Sequence, residues 1–222
     1  MSISSRIDAL RESVPETVKI IAVSKFHPAE TVMEAYRAGQ HLFGENRVQE
    51  LAAKYEVLPK DIEWHLIGSL QRNKVKYIAP FVSLIHSLDS ERLMKEIAKQ
   101  GAANNRVISC LLQIHIAQEE TKSGFSMEEC RRFLEEGHWR DCPHVRLDGV
   151  MGMATFTDDT EQIRKEFRQL KSFFDACKAD YFADAPSFKE ISMGMSDDYP
   201  IAIEEGATMI RVGTGIFGAR QR

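Results

Sequence analysis

Thr208-Met209-Ile210-Arg211-Val212, followed directly by Gly213-Thr214-Gly215-Ile216-Phe217-Gly218, decides the fold. The glycines spell G-x-G-x-x-G after an apolar run, which in isolation reads as a dinucleotide fingerprint. That fingerprint has to open a βαβ unit and be followed by an acidic residue roughly 20 positions later. Here the chain ends four residues after Gly218. What remains is a strand feeding a glycine-rich loop and a helix start, whose backbone N–H groups suit a phosphate. In (β/α)8 barrels such a site belongs to the loops after strands 7 and 8. A tight turn that merely needs glycine is the alternative.

Working back from that strand, seven more candidates appear: Val18–Ser24, His41–Phe43, Ile62–Ile67, Val82–His86, Val107–Ile116, Val145–Met151 and Phe188–Met193. Several are continuous apolar runs, as expected of parallel strands covered on both faces. The segments between them read as helices. Pro28 sits at a first-turn position, with Ala29, Val32, Met33 and Tyr36 on one face and Gly39 as the stop. Asn46 and Ser90 are candidate caps, and Ser126 with Glu129 forms a capping-box pattern. Ile163, Phe167, Leu170 and Phe174 give a long amphipathic stripe. Eight βα units behind one leading helix predict a (β/α)8 TIM barrel of the α/β class, spanning residues 1–222 as one domain. An open doubly wound sheet is the second choice.

Composition agrees with a globular chain. The 222 residues are 43% hydrophobic and 28% charged, enough to bury a core without staples. A net charge of −4 gives no basic footprint for nucleic acid. No window approaches 18 apolar residues, and the N-terminus lacks a signal-peptide core, so a cytoplasmic protein with no membrane contact is expected. Cys110, Cys130, Cys142 and Cys177 are scattered and read as free thiols; Cys142-Pro143-His144 is too short a pair to predict a metal site.

In a barrel, functional residues fall just after the strands. Lys25, at the end of the first strand, is either a solvated lysine or a poorly hydrated amine whose charged form is disfavoured, as Schiff-base chemistry requires. Ser192-Met193-Gly194-Met195-Ser196-Asp197-Asp198, after the seventh, supplies a hydroxyl, a glycine and a second helix start beside the phosphate loop. Asp197 and Asp198 read as caps of the following helix. Asn46 caps a helix or bonds a ligand. His65 faces the barrel interior or its outside, depending on strand parity. Gln71-Arg72-Asn73-Lys74 is a solvated cluster or a lid, and Met151-Gly152-Met153 is core or a soft surface for a flat ring.

Taken in order, Ala22-Val23-Ser24-Lys25, Phe43-Gly44-Glu45-Asn46, Trp64-His65-Leu66-Ile67-Gly68, Leu70-Gln71-Arg72-Asn73-Lys74, Lys122-Ser123-Gly124, the Ser192–Asp198 run and Arg211-Val212-Gly213-Thr214 resemble the pyridoxal phosphate homeostasis protein family, also called the YggS/PROSC family. The resemblance runs from about residue 18 to Gly218. It implies a fold-type III barrel like the N-terminal domain of alanine racemase. It implies that Lys25 holds pyridoxal 5′-phosphate through a Schiff base, and that Ser192, Gly213 and Thr214 with their backbone amides hold the phosphate. Arg211 would face the pyridine nitrogen, and Asn46 would lie near the ring or its 3′-oxygen. Ala154-Thr155-Phe156 departs from the family pattern without touching a proposed ligand.

The implied role is a non-catalytic one: binding, buffering or delivering the cofactor, with PLP-dependent apo-enzymes as recipients and the protein as a monomer. An amino-acid racemase is the alternative. The fold-type III racemases add a C-terminal β domain that supplies a catalytic tyrosine, and this chain stops at Arg222. Arginine does not release its proton to a ring nitrogen, which leaves the ring a weak electron sink. A third reading is a phosphosugar enzyme using Lys25 as an aldolase-type amine, for which no acid or base partner is evident.

Overall fold

The computed structural model describes residues 1–119 and 123–218. Eight parallel strands close on one another in chain order: β1 (Lys19–Val23), β2 (Leu42–Glu45), β3 (Glu63–Leu66), β4 (Leu84–Leu88), β5 (Ile108–Gln113), β6 (Val145–Met151), β7 (Glu190–Met195) and β8 (Met209–Val212). Closure is made by β1 on β8, with Ile20 opposite Ile210 and Ile21 opposite Arg211. The barrel expectation holds, and each expected strand is present with boundaries shifted by up to three residues. The expected Val107–Ile116 strand ends earlier, at Gln113; the next residue, Ile114, still donates to the Met151 carbonyl and makes an isolated bridge to Phe125.

The helices lie outside. They are α1 (Ile3–Ser13), α2 (Ala29–Arg37), α3 (Val48–Val57), α4 (Val75–Ile78), α5 (Glu91–Ala103), α6 (Met127–Glu136), α7 (Thr160–Tyr181), α8 (Tyr199–Glu204) and α9 (Thr214–Phe217). Several begin where the sequence says. Ser90 Oγ accepts from Leu93 N at 3.3 Å, and the Ser126–Glu129 capping box is made in both directions. α3 is different: its cap position is Arg47, so Asn46 is not the cap. None of these helices is long and apolar enough to cross a membrane, and the four cysteines are buried free thiols.

Strand parity divides the side chains between two regions. Trp64, Leu66, Ile85, Cys110, Leu112, Ile191, Met193, Ile210 and Val212 join the apolar shell between strands and helices. Leu84, Leu111, Met151 and Met209 form a separate cluster inside the barrel. The inward parity also carries His65, His86, Ser192 and Arg211, all buried. Lys25 continues the parity of Ile21 and Val23, two positions past the end of β1. Gly149 in β6 lets β7 approach: its φ is +152°, and a Cβ there would stand 1.8 Å from the Glu190 carbonyl oxygen.

Candidate functional site

A cleft of about 740 Å³ opens at the C-terminal ends of the strands. Five of the six residues expected to bind a cofactor line it: Lys25, Asn46, Arg211, Gly213 and Thr214. They come from the loops after β1, β2 and β8 and, for Arg211, from β8 itself.

Lys25 is half-buried in the turn after β1. Its neighbours are fixed from behind. Ser24 Oγ donates to Glu45 Oε1 at 2.6 Å, and Phe26 N donates to Glu50 Oε1 at 2.6 Å. The Lys54 ammonium donates to Glu45 Oε1 (2.6 Å), to Glu50 Oε1 (2.8 Å) and to the Ser24 carbonyl (2.8 Å). Phe26 adopts a left-handed φ of 68°, which is unfavourable for a residue with a Cβ and which this network holds in place. His27 then stacks on Phe217 of α9, ring centroids 4.6 Å apart, tying the Lys25 turn to the loop after β8.

Arg211 is 4% exposed yet lines the cleft. Burial lowers its pKa to about 10, against the opposing pull of Asp198, so it remains a cation at neutral pH. Nη1 donates to Ser192 Oγ at 2.5 Å and Nη2 to the Gly152 carbonyl at 3.1 Å.

The remaining expected residue, Ser192, is placed elsewhere. Its hydroxyl is fully buried inside the barrel between Arg211 and His86 and does not line the cleft. The hydroxyl that meets the glycine-rich loop belongs to Ser196, whose Oγ accepts from Gly213 N at 3.2 Å. The first N–H groups of α9 have no intrahelical acceptor, and Gly213 and Thr214 at its start line the cleft. Asp198 occupies the cap position of α8, but its Oδ1 accepts from Met195 N at 2.5 Å instead of capping the helix. Asp197 lines the cleft. Asn46 Oδ1 is buried with no hydrogen-bond partner among the described residues, so this carboxamide at the cleft has bonding capacity to spare.

Other expectations resolve plainly. Met153 lines the cleft, whereas Met151 belongs to the interior cluster. Arg72–Lys74 form a short 3₁₀ turn that does not line the cleft. Lys122 lies outside the described residues. Sequence reading missed Ser196 as the hydroxyl at the loop, Lys54 and Glu45 behind Lys25, and His86 beneath Arg211.

An amine at one side, an anion cradle at the other and a guanidinium at the cleft wall suit a phosphorylated aldehyde. Comparison with known proteins points the same way. Residues 1–221 match the family model described as alanine racemase, N-terminal domain. A pyridoxal phosphate homeostasis protein of Aquifex aeolicus is 42% identical over 204 residues, covering 91% of this chain and 87% of the relative. The chain belongs to the pyridoxal phosphate homeostasis protein family. A member from Schizosaccharomyces pombe is 34% identical over 99% of this chain and 93% of its own. Among solved structures, PipY of Synechococcus elongatus with pyridoxal phosphate bound is 37% identical, with a TM-score of 0.86 over 98% of this chain and 100% of that one. Alanine racemase of Bartonella henselae shares the fold, with a TM-score of 0.70 at 14% identity over 99% of this chain and 60% of its own.

Proposed function

We propose that this protein binds pyridoxal 5′-phosphate in the barrel mouth and serves cofactor homeostasis by holding it and giving it up to PLP-dependent apo-enzymes. The observation that carries the reading is the sharing of one cleft by Lys25, Arg211 and the Ser196–Gly213–Thr214 corner. The residues fit the cofactor: the buried Asn46 amide oxygen has no partner among the described residues, and the first N–H groups of α9 have no intrahelical acceptor. When bound, the cofactor supplies an aldehyde that condenses with a primary amine. Lys25 provides that amine at the end of a turn fixed on both sides. Ser196, Gly213 and Thr214 bind the phosphate, and Arg211 addresses the ring nitrogen. The barrel as one PLP-binding domain, working as a monomer, completes the reading.

Binding is favoured over racemisation by two features. Arg211 donates a hydrogen bond without surrendering a proton, which leaves a neutral ring nitrogen and weak carbanion stabilisation. Among the described residues that line the cleft there is no tyrosine to act as an opposing base.

The test is a visible spectrum of the protein after PLP addition, then borohydride reduction and peptide mapping. The expected result is a reduced pyridoxyl group on Lys25, absent in Lys25→Ala. No uptake of PLP, or an adduct on another lysine, overturns the reading.

A further inference from the structure

A chain of four polar side chains runs through the barrel interior, and the site described above uses only its last member. His65 of β3, His86 of β4, Ser192 of β7 and Arg211 of β8 are 3%, 0%, 0% and 4% exposed. His65 Nδ1 lies 3.0 Å from His86 Nε2, and His86 Nδ1 lies 2.9 Å from Ser192 Oγ. Arg211 Nη1 donates to that same Oγ at 2.5 Å. At the far end His65 lines a second, polar pocket of about 490 Å³ with Lys19, Glu63 and Glu190, at the N-terminal mouth of the barrel.

One placement of the hydrogens makes all three contacts of this chain proper hydrogen bonds. A guanidinium only donates, so Ser192 Oγ accepts from Arg211. The Ser192 hydroxyl hydrogen then goes to His86 Nδ1, which has to be bare. A neutral His86 carries its proton on Nε2 and donates it to His65 Nδ1, so His65 carries its own on Nε2. In the reverse order Ser192 accepts twice, and its buried hydroxyl hydrogen has no acceptor among the described residues. Neutral rings are what burial enforces: His65 is pushed down to about 3 by burial and, secondarily, by Lys19, and His86 well below its ordinary value by burial, His65 and Arg211.

We propose that His86 and Ser192 are positioning residues, which through this single hydrogen-bond order lock the Arg211 guanidinium from behind and so fix the N–H it presents to the cleft. The role toward the cofactor ring rests on the proposed function; the locked guanidinium does not. With Nη1 held by Ser192 and Nη2 by the Gly152 carbonyl, the plane of the group is set before any ligand arrives.

Nitrogen-15 NMR of the cofactor-free protein tests the order directly. Both histidines are expected as neutral rings with the proton on Nε2. Nδ1-protonated or doubly protonated His86 at neutral pH overturns the proposal. In the wild type the Arg211 Nη signals should be resolved, and in Ser192→Ala and His86→Leu they should merge as the group rotates freely. Signals that stay resolved in both overturn it. With PLP added, both variants should show a displaced absorption maximum and about tenfold weaker affinity, while His86→Asn, which keeps an acceptor near the Nδ1 position, restores the wild-type values. Folded variants with an unchanged spectrum and affinity would make the chain a structural feature only. A wild type that takes up no PLP overturns the proposed function, and the tautomers and Arg211 signals then decide the chain by themselves.

Discussion

Lys54 Nζ stands 2.6 Å from Glu45 Oε1, and both side chains are buried directly behind the turn that carries Lys25. Through the Ser24 carbonyl and through Glu50, one ammonium reaches the residues on both sides of Lys25. Glu45 Oε2 has no partner among the described residues, and burial keeps the Glu45 carboxyl above its usual range even though Lys54 and Ser24 pull it down. The pair is therefore delicately compensated. Lys54→Met should destabilise the protein by about 3–5 kcal/mol, because it strands a buried carboxylate. Adding Glu45→Gln to that variant should recover part of the loss, as read by urea melts. In the same variants PLP attachment at Lys25 should slow, since the turn loses its anchor. A single variant as stable as the wild type would place Glu45 in water.

Acid should act on the barrel through its buried histidines. The ordinary histidine value is 6.5, and folded His65 does not take up a proton until about pH 3. Between those values the unfolded chain binds a proton that the folded chain refuses, so stability falls as pH falls. The contribution is complete above pH 6.5. At pH 5 one such group costs about 2 kcal/mol. Going from pH 7.5 to pH 5, wild type should lose about that much more stability than His65→Asn in urea titrations. Equal losses would mean that folded His65 is protonated.

The barrel was readable because each strand is a short apolar run closed by a glycine or polar loop, and because a glycine loop that opens a helix directly after the last of eight strands fits a barrel. Lys25, Asn46 and Arg211 were readable as residues that follow or end strands. Ser196 was not. Between Ser192 and Met195 the β7–β8 register shifts, so counting by twos along the strand does not tell which serine reaches the mouth. Lys54 has an ordinary i, i+4 partner in Glu50, which resembles a surface pair. Its position in line with Val48 and Leu51, at i+3 and i+6, was the signal that it is buried. His86 sits in a strand whose five residues are all buried, and a histidine inside such a run marks an interior polar contact.

Gly68, after β3, is set against the backbone of Asn46. A Cβ on it would stand 2.3 Å from the Asn46 carbonyl oxygen and 2.8 Å from its Cα, and backbone cannot step aside cheaply. Gly68→Ala should therefore displace Asn46 and weaken PLP binding, with only a small change in the Lys25 adduct's position. Equilibrium dialysis of PLP against Gly68→Ala and Asn46→Ala checks this: the two should lose affinity together, by several-fold each. If Asn46→Ala binds like wild type, the carboxamide has no part in the site.

The phosphate corner separates the two serines of β7 and its loop. Ser196 Oγ accepts from Gly213 N, which leaves its hydroxyl hydrogen for an anion beside the α9 start. Ser196→Ala removes that donor and unpairs the Gly213 amide; Thr214→Val removes the neighbouring hydroxyl. Each should weaken PLP by about 1–3 kcal/mol, the cost of losing a hydrogen bond to a charged group. The same variants should bind pyridoxal, which has the aldehyde and ring without the phosphate, as wild type does. Ser192→Ala should behave in the opposite sense: its hydroxyl is inside the barrel on Arg211, so it should move the spectrum of both ligands and leave their affinity ratio alone. The ratio of the PLP and pyridoxal dissociation constants across the three variants is the deciding measurement. If Ser192→Ala changes that ratio while Ser196→Ala does not, the phosphate is held by the buried serine and the assignment of Ser196 is wrong.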